Sequence, residues 1–256
     1  MFQHAIVRKP GRNFAQGITT STLGAPVYEK ALAQHAAYCA ALETCGLKLT
    51  ELPPDERHPD SAFVEDVAVI TGRSAVLTRP GTESRKEEVA EIRGPLASFF
   101  TTLHEIRAPG TLDGGDICQA ENHFFIGLSY RTNEEGGRQL AEYLAREGYT
   151  SSFLDIRGIN KLLHLKSGIA YVGDSNLIVG EELMGHCQFR QFNLIPVGAG
   201  EGYAANCLRI NEHVLIPSGF PLLEACLERL GYNLLRLEIS EFQKMDGGLS
   251  CLSLRF

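Results

Sequence analysis

Three residues that stand far apart in this chain, Cys251, His164 and Asp113, are of the types that together perform nucleophilic catalysis. A thiolate attacks an electrophilic carbon, an imidazole shuttles protons, and a carboxylate fixes and charges the imidazole. Each alone has a plainer reading: a cysteine is most often a small buried apolar residue, and a histidine inside Lys-Leu-Leu-His-Leu-Lys (161–166) reads first as a satisfied core group. Asp60, Glu65, Asp66, Asp113 and Asp116 add a second constellation, since like charges gathered at one place cost stability unless a cation joins them. A planar guanidinium, with its fan of N–H donors, suits paired carboxylates. Turn and strand-end duty is the plainer account of the same acids, of Asp113-Gly114-Gly115-Asp116 above all. Arg85 and Arg131 could hold an anionic group such as a carboxylate, or simply stand exposed at helix starts. Together these charges describe an amino acid with a cationic side chain.

What would bring such residues together is a repeat. Four times, a short apolar strand carrying a polar residue is followed by a turn, a second strand and a helix-like segment. The first unit is Phe-Val-Glu-Asp-Val-Ala-Val-Ile (63–70) with Asp66 in its strand, a turn at 71–74, Ala-Val-Leu-Thr, and a charged helix-like segment over 83–100. The second is Leu-Asp-Gly-Gly-Asp-Ile-Cys-Gln (112–119), a turn at Glu121-Asn122, Phe-Phe-Ile-Gly-Leu, and a helix with Leu140 and Leu144 one turn apart. The third carries His164, then Gly-Asp-Ser-Asn, Leu-Ile-Val and a helix-like stretch from Glu181. The fourth carries Asn206, a turn at Asn211-Glu212, and a helix ending before Gly231, a C-cap. A fifth unit starts at Gly-Gly-Leu-Ser-Cys-Leu-Ser (247–253), where Cys251 opens a strand and two glycines let backbone approach a ligand. It stops at the C-terminus, and the N-terminal strand and the helix over 26–45 complete it. The marker residues follow one another at steps of 47, 51, 42 and 45, a loose period suited to a ring in which Asp66, Asp113, His164 and Cys251 converge at one mouth. On periodicity alone, ordinary α/β topology accounts equally well for the alternation.

Composition narrows the class. With 44% hydrophobic and 21% charged residues in 256, the chain can bury a sizeable core, and no tract divides it, so residues 1–256 read as one catalytic domain. A net charge of −7 repels phosphate backbones and disfavours nucleic acid as a partner. No apolar run approaches the roughly 18–20 residues of a membrane span, and the start lacks the apolar block of a signal peptide, so a cytoplasmic protein acting on a small molecule is expected. Seven cysteines with no C-x-x-C pair suggest free thiols rather than disulfides or a zinc knot. A homodimer is compatible with all of this.

From Phe2 to Phe256 the chain resembles the dimethylargininases, hydrolases of Nω-methylated arginines within the guanidine-modifying enzymes of pentein fold. The resemblance rests on Leu-Pro-Pro-Asp-Glu-Arg-His-Pro-Asp-Ser-Ala-Phe-Val-Glu-Asp (52–66), Thr-Arg-Pro-Gly-Thr-Glu-Ser-Arg (78–85), Ala-Pro-Gly-Thr-Leu-Asp-Gly-Gly-Asp (108–116), Leu-His-Leu-Lys-Ser-Gly (163–168), Tyr-Ala-Ala-Asn-Cys (203–207) and Asp-Gly-Gly-Leu-Ser-Cys-Leu-Ser-Leu-Arg-Phe (246–256). It implies a five-bladed α/β propeller whose N- and C-terminal segments close one blade. By motif, Cys251 is the nucleophile, His164 the general acid/base, Asp113 its orienting carboxylate and Asp116 a support. Asp66 with Glu65 anchors the guanidinium, Arg85 and Arg131 clamp the substrate carboxylate, and Asp60, Ile18 and Met245 make the remaining contacts. Ile18 then sits on a lid over 11–24, a segment that is glycine-hinged and poor in periodicity on its own reading. The implied chemistry is a covalent thiouronium on Cys251, hydrolysed to citrulline with loss of methylamine or dimethylamine, without cofactor or metal, although zinc could capture the thiolate.

The same fold hosts arginine deiminase, which is longer and has an acid where Lys166 follows His164 here. Other guanidino or ureido hydrolases are further alternatives. A binder of arginine or metal that uses Cys251, His164 and the carboxylates as ligands is an alternative of another class.

Overall fold

The computed structural model describes residues 1–256. Five three-stranded sheets follow one rule: the first strand pairs antiparallel with the second, and the second pairs parallel with the third. Tight turns join four of the five antiparallel pairs, and their geometry explains the residues found there. Glu121, Asn211, Asp174 and Ser175 all adopt positive φ, the left-handed region that short polar side chains tolerate best. Parallel pairing demands a crossover, supplied by helices Glu88–Ala97, Glu134–Arg146, Pro221–Arg229 and Tyr28–Thr44. Leu140 and Leu144 are fully buried on one face of the second helix, and Gly231 follows the third with φ +84°, as a C-cap requires.

The fifth sheet joins the two ends of the chain. Leu254–Arg255 pairs antiparallel with His4–Arg8, which pairs parallel with Lys48–Leu52. First strands of neighbouring sheets lie against one another, Leu254–Arg255 beside Ala68–Ile70 and Ile169–Tyr171 between Ile117–Ala120 and Leu208–Ile210. The result is a five-bladed α/β propeller, in which five apolar clusters fill the spaces around the sheets. No helix is long and apolar enough to cross a membrane.

Two expectations change. The stretch from Glu181 forms two short 3₁₀ turns, Glu181–Leu183 and Cys187–Phe189, in place of an α-helix. Gly180 and Gly185 bracket too few residues for the hydrogen-bonded nucleus of a helix to propagate. More important for function, the marker residues do not lie in strands. Each blade enters its first strand through a 3₁₀ turn: Val64–Val67, Gly114–Asp116, Leu165–Ser167, Gly202–Ala205 and Ser250–Leu252. Glu65 and Asp66 lie within the first turn, Asp113 and His164 cap the second and third, Asn206 follows the fourth, and Cys251 is the middle residue of the fifth. Short polar side chains compete with ladder hydrogen bonds, so they leave the strand and gather at its mouth.

Candidate active site

Three stitches hold these turns in a ring. Asp66 Oδ1 accepts the Gly115 N–H of the next turn at 2.9 Å, Asp116 Oδ1 accepts Leu165 N–H at 3.0 Å, and Asn206 Oδ1 accepts Ser250 N–H at 2.9 Å. Asp116 is therefore a brace, its second oxygen taken by Ser129 and Thr132, and burial pushes its carboxyl up to about 6. Asn206, aligned by spacing with the reactive positions, instead supports the turn that carries Cys251.

A small cavity of about 30 Å³, room for about one water, lies at this mouth. Cys251, His164, Asp113, Asp66, Asp60, Arg85, Arg131, Ile18 and Met245 all line it, so nine of the residues singled out from sequence converge. His164 Nε2 lies 3.2 Å from Asp113 Oδ2, while Asp113 Oδ1 accepts Gly81 N–H at 2.8 Å. Burial opposes the imidazolium, but Asp66, Asp116 and the bond to Asp113 outweigh it and push His164 up to about 9. Asp113 is the other half of the pair. Its burial favours the neutral acid, yet the bond to His164, the charge on His164 and Arg85 hold it below its ordinary value. Cys251 Sγ receives Gly248 N–H at 3.4 Å, and burial, then the charges of Glu65 and Asp66, push the thiol up to about 12. The resting pair is thus a neutral thiol beside an imidazolium.

Glycines supply closeness here: Gly247 lines the cavity, as expected of a glycine beside a ligand, and the turns also pack tightly on one another. A Cβ on Gly247 would meet the Phe63 ring at 2.2 Å, one on Gly248 the Asn206 side chain at 2.5 Å, and one on Gly115 the His164 ring at 2.7 Å. Neighbouring turns pack edge to edge, and a side chain at these points would push the reactive groups apart.

The structure separates two groups that look alike in the sequence. Arg85 is buried, with Nε and Nη2 on Glu88, Nη1 on Asp66 Oδ2 at 2.5 Å, and Nη2 also on the carbonyls of Asp60 and Phe63. It braces Asp66 instead of awaiting an anion. Arg131 lines the same cavity and makes no side-chain hydrogen bond or ion pair, which leaves its guanidinium as the free cation of the site. Glu65 does not reach the cavity. Its carboxylate is taken by Ser250 Oγ at 2.8 Å, Lys166 Nζ at 2.6 Å and Arg255 Nη2 at 3.0 Å, so its expected part in a guanidinium anchor is corrected to that of a neighbouring charge.

The loop over 11–24 is tied to two residues that line the mouth. Ile18 N–H donates to both oxygens of Asp60, at 3.1 and 3.3 Å, and Thr20 N–H and Oγ1 both donate to Asp246 Oδ2. Asp246, Phe63 and Leu163 line the cavity although sequence reasoning does not single them out. The positive φ of Asp246, 57°, follows from a turn that sequence shows only as Asp-Gly-Gly. The Asp60 latch yields a prediction. Gly17 has φ −64°, which alanine accepts, but its Cβ would stand 2.4 Å from Asp60 Oδ1. Gly17→Ala therefore opens the latch. A lost hydrogen bond to a charged group is worth about 1.5 kcal/mol, roughly a tenfold rise in KM, and an unchanged KM would show that the Asp60–Ile18 bond does not hold the lid over substrate.

Asp66, Asp113 and His164 offer ligand atoms within 4.8 Å of one another, the only such grouping in the chain. A metal there would have to displace Arg85 from Asp66 and His164 from Asp113, and Cys251 is not among the donors.

No protein-family model matches the chain. Among characterised proteins, the N(G),N(G)-dimethylarginine dimethylaminohydrolase of Pseudomonas aeruginosa is 46% identical over the full length of both chains. That of Streptomyces coelicolor is 32% identical over 98% of this chain and 96% of its own. A solved structure of the P. aeruginosa protein, a cysteine-to-serine variant complexed with citrulline, superposes with a TM-score of 0.97 over all of both chains. The N-terminal domain of a cyanobacterial arginine dihydrolase, 16% identical over 98% of this chain and 96% of its own, shares the fold at a TM-score of 0.87. With two relatives above 30% identity along essentially its whole length, and a mouth that gathers a cysteine, a His–Asp pair and a carboxylate, the chain belongs to the dimethylarginine dimethylaminohydrolase family.

Proposed function

We propose that this protein hydrolyses Nω-methylated L-arginine, both asymmetric dimethylarginine and monomethylarginine, to L-citrulline and dimethylamine or methylamine. The observation that carries the reading is one cavity in which Cys251, the His164–Asp113 pair, Asp66 and the unpaired Arg131 meet. Asp66 presents a carboxylate to the guanidinium, Arg131 receives the α-carboxylate, and the apolar walls of Phe63, Leu163 and Met245 accept the methyl groups. The 11–24 loop, hydrogen-bonded to Asp60 and Asp246 at the mouth, opens to admit this substrate and then recloses.

The charge states set the order of events. Entry of a guanidinium cation lowers the thiol's pKa, and the thiol proton is lost to solvent. The thiolate attacks the guanidinium carbon, giving a tetrahedral adduct. His164, already an imidazolium, gives its proton to the methylated nitrogen, the C–N bond breaks, and a thiouronium on Cys251 remains. Neutral His164 then takes a proton from water as it adds to that carbon, the C–S bond breaks as the adduct's hydroxyl proton passes to the leaving sulfur, and citrulline leaves with Cys251 restored as the neutral thiol. Asp113 keeps the ring aligned in both halves.

Seven free thiols support placing this chemistry in the reducing cytoplasm. The test is citrulline release from the purified protein with asymmetric dimethylarginine, monomethylarginine and arginine side by side. Release from the methylated substrates at a kcat/KM at least tenfold above arginine supports the assignment. Preference for arginine makes it a deiminase, and release from none removes the hydrolase reading.

A further inference from the structure

Behind the cavity a second, larger one of about 880 Å³ occupies the propeller's centre, and between the two stands a cluster of buried Glu65, Ser250 and Asn206 with half-buried Lys166 and Arg255. All five line the central cavity, and none lines the small one that holds Cys251. Three members are close sequence neighbours of reactive groups: Glu65 precedes Asp66, Ser250 precedes Cys251, and Lys166 sits in the turn capped by His164.

We infer that Lys166, paired with Glu65, is a positioning residue for the hydrolytic reaction, holding Glu65 on the Cys251 turn and offsetting its negative charge. The inference rests on the hydrolase reading above. Its geometry has two parts. Mechanically, Glu65 Oε2 accepts Ser250 Oγ at 2.8 Å, and Asn206 Nδ2 donates to the Lys166 carbonyl at 2.9 Å and to Ser250 Oγ at 3.0 Å. Arg255 Nη1 donates to the Ser250 carbonyl at 3.0 Å. The turns bearing Asp66, His164 and Cys251 are therefore tied through one buried knot. Electrostatically, Glu65 Oε1 faces both Lys166 Nζ at 2.6 Å and Arg255 Nη2 at 3.0 Å, two cations against one anion. Lys166 and Arg255 thereby offset the Glu65 charge that opposes the Cys251 thiolate. Charged groups on every turn around Cys251 enter this balance: Glu65 and Asp66 from the first, Asp113 and Asp116 from the second, His164 and Lys166 from the third, and Arg255 from the adjoining strand. Among them Glu65 and Asp66 disfavour the thiolate and Lys166 favours it.

The experiment reads Cys251 without substrate, so it stands whether or not methylarginine is hydrolysed. Alkylation by iodoacetamide at pH 8 is followed by mass spectrometry of the Cys251 peptide in wild type, Lys166→Met, Lys166→Arg and Glu65→Gln. Below the thiol's pKa the rate tracks the thiolate fraction, and loss of a nearby opposite charge moves that pKa by about one pH unit. Lys166→Met is expected to slow alkylation about tenfold and to lower kcat on methylarginine more than it raises KM, while Lys166→Arg restores both to within about threefold. Glu65→Gln is expected to quicken alkylation even as kcat falls. Opposite signs in the two variants are the signature, since a merely structural knot would move both the same way. Equal rates, or shifts of one sign, overturn the inference. If Lys166→Met does not fold, Glu65→Gln and Lys166→Arg decide it alone: alkylation not quickened in the first overturns it.

Discussion

Cys251→Ser is expected to lose citrulline release by roughly 10⁴-fold or more, while still binding asymmetric dimethylarginine in calorimetry with an affinity close to the KM of wild type. The argument is one of ionisation. Serine fills the same place in the Ser250–Leu252 turn, whose anchors to Asn206, Glu65 and Arg255 engage Ser250, and its hydroxyl oxygen can accept the Gly248 N–H that Cys251 Sγ receives. A cysteine thiol pushed up to about 12 by burial and by Glu65 and Asp66 is also unreactive at rest. A guanidinium about 4 Å from the sulfur, at an effective dielectric of about 20, stabilises the thiolate by roughly 4 kcal/mol, about three pH units. That brings a thiol within reach of ionisation near neutral pH and leaves an aliphatic hydroxyl far outside it. Activity within a hundredfold of wild type in the serine variant would remove Cys251 from the nucleophile's role.

His164→Gln is expected to lower kcat by about 10²- to 10⁴-fold, with most of the loss in the step that expels the amine. Glutamine keeps a hydrogen-bond donor toward Asp113 but cannot deliver a proton. A substrate analogue with a thiolate leaving group, which departs without protonation, should therefore lose far less than dimethylarginine; equal losses for both would contradict the acid role. The pH dependence has a definite sign. His164 is raised from its ordinary value to about 9 in the folded protein, so its contribution to stability is complete below about 6.5 and is lost as pH rises through about 9. The buried group is worth on the order of 3 kcal/mol over that window. Thermal melts of wild type should fall between pH 6.5 and 9.5 more steeply than those of His164→Gln, and kcat/KM should decline above about 9 as the imidazolium of the free enzyme is lost. Parallel melting curves would place the charge on another group.

Turn chemistry and hydrophobic alternation make the five-fold order legible along the chain. Glu121-Asn122, Gly-Asp-Ser-Asn (173–176) and Asn211-Glu212 announce hairpins by residue type, and Leu140 with Leu144 announces a helix face. These are local signals, set within a few residues. The same locality makes Asp66, His164 and Cys251 look like strand residues. An apolar run of that length fits a strand by pattern, and only the packing of one blade's mouth against the next turns its first residues into a 3₁₀ turn. Asp246 and Lys166 escape sequence reasoning for a related reason. One acts through a positive-φ turn beneath the loop, the other through a carboxylate from a different blade.

Residue types and spacing by themselves marked the repeat and the set of side chains able to do guanidine chemistry, and left a closed ring and ordinary α/β topology as equal readings between which the family resemblance chose. What only the tertiary structure decided is which of those charges are free. Arg85 and Arg131 are equivalent on paper, yet one is enclosed by Asp66 and Glu88 and the other faces the cavity unpaired. Glu65 and Asp66 are adjacent in sequence, yet one is turned to Ser250, 185 residues away, and the other to the cavity. The reason is physical: a buried charge is stable only with a partner, and that partner is chosen by long-range packing across the ring, about which the neighbouring residues in the chain carry no information.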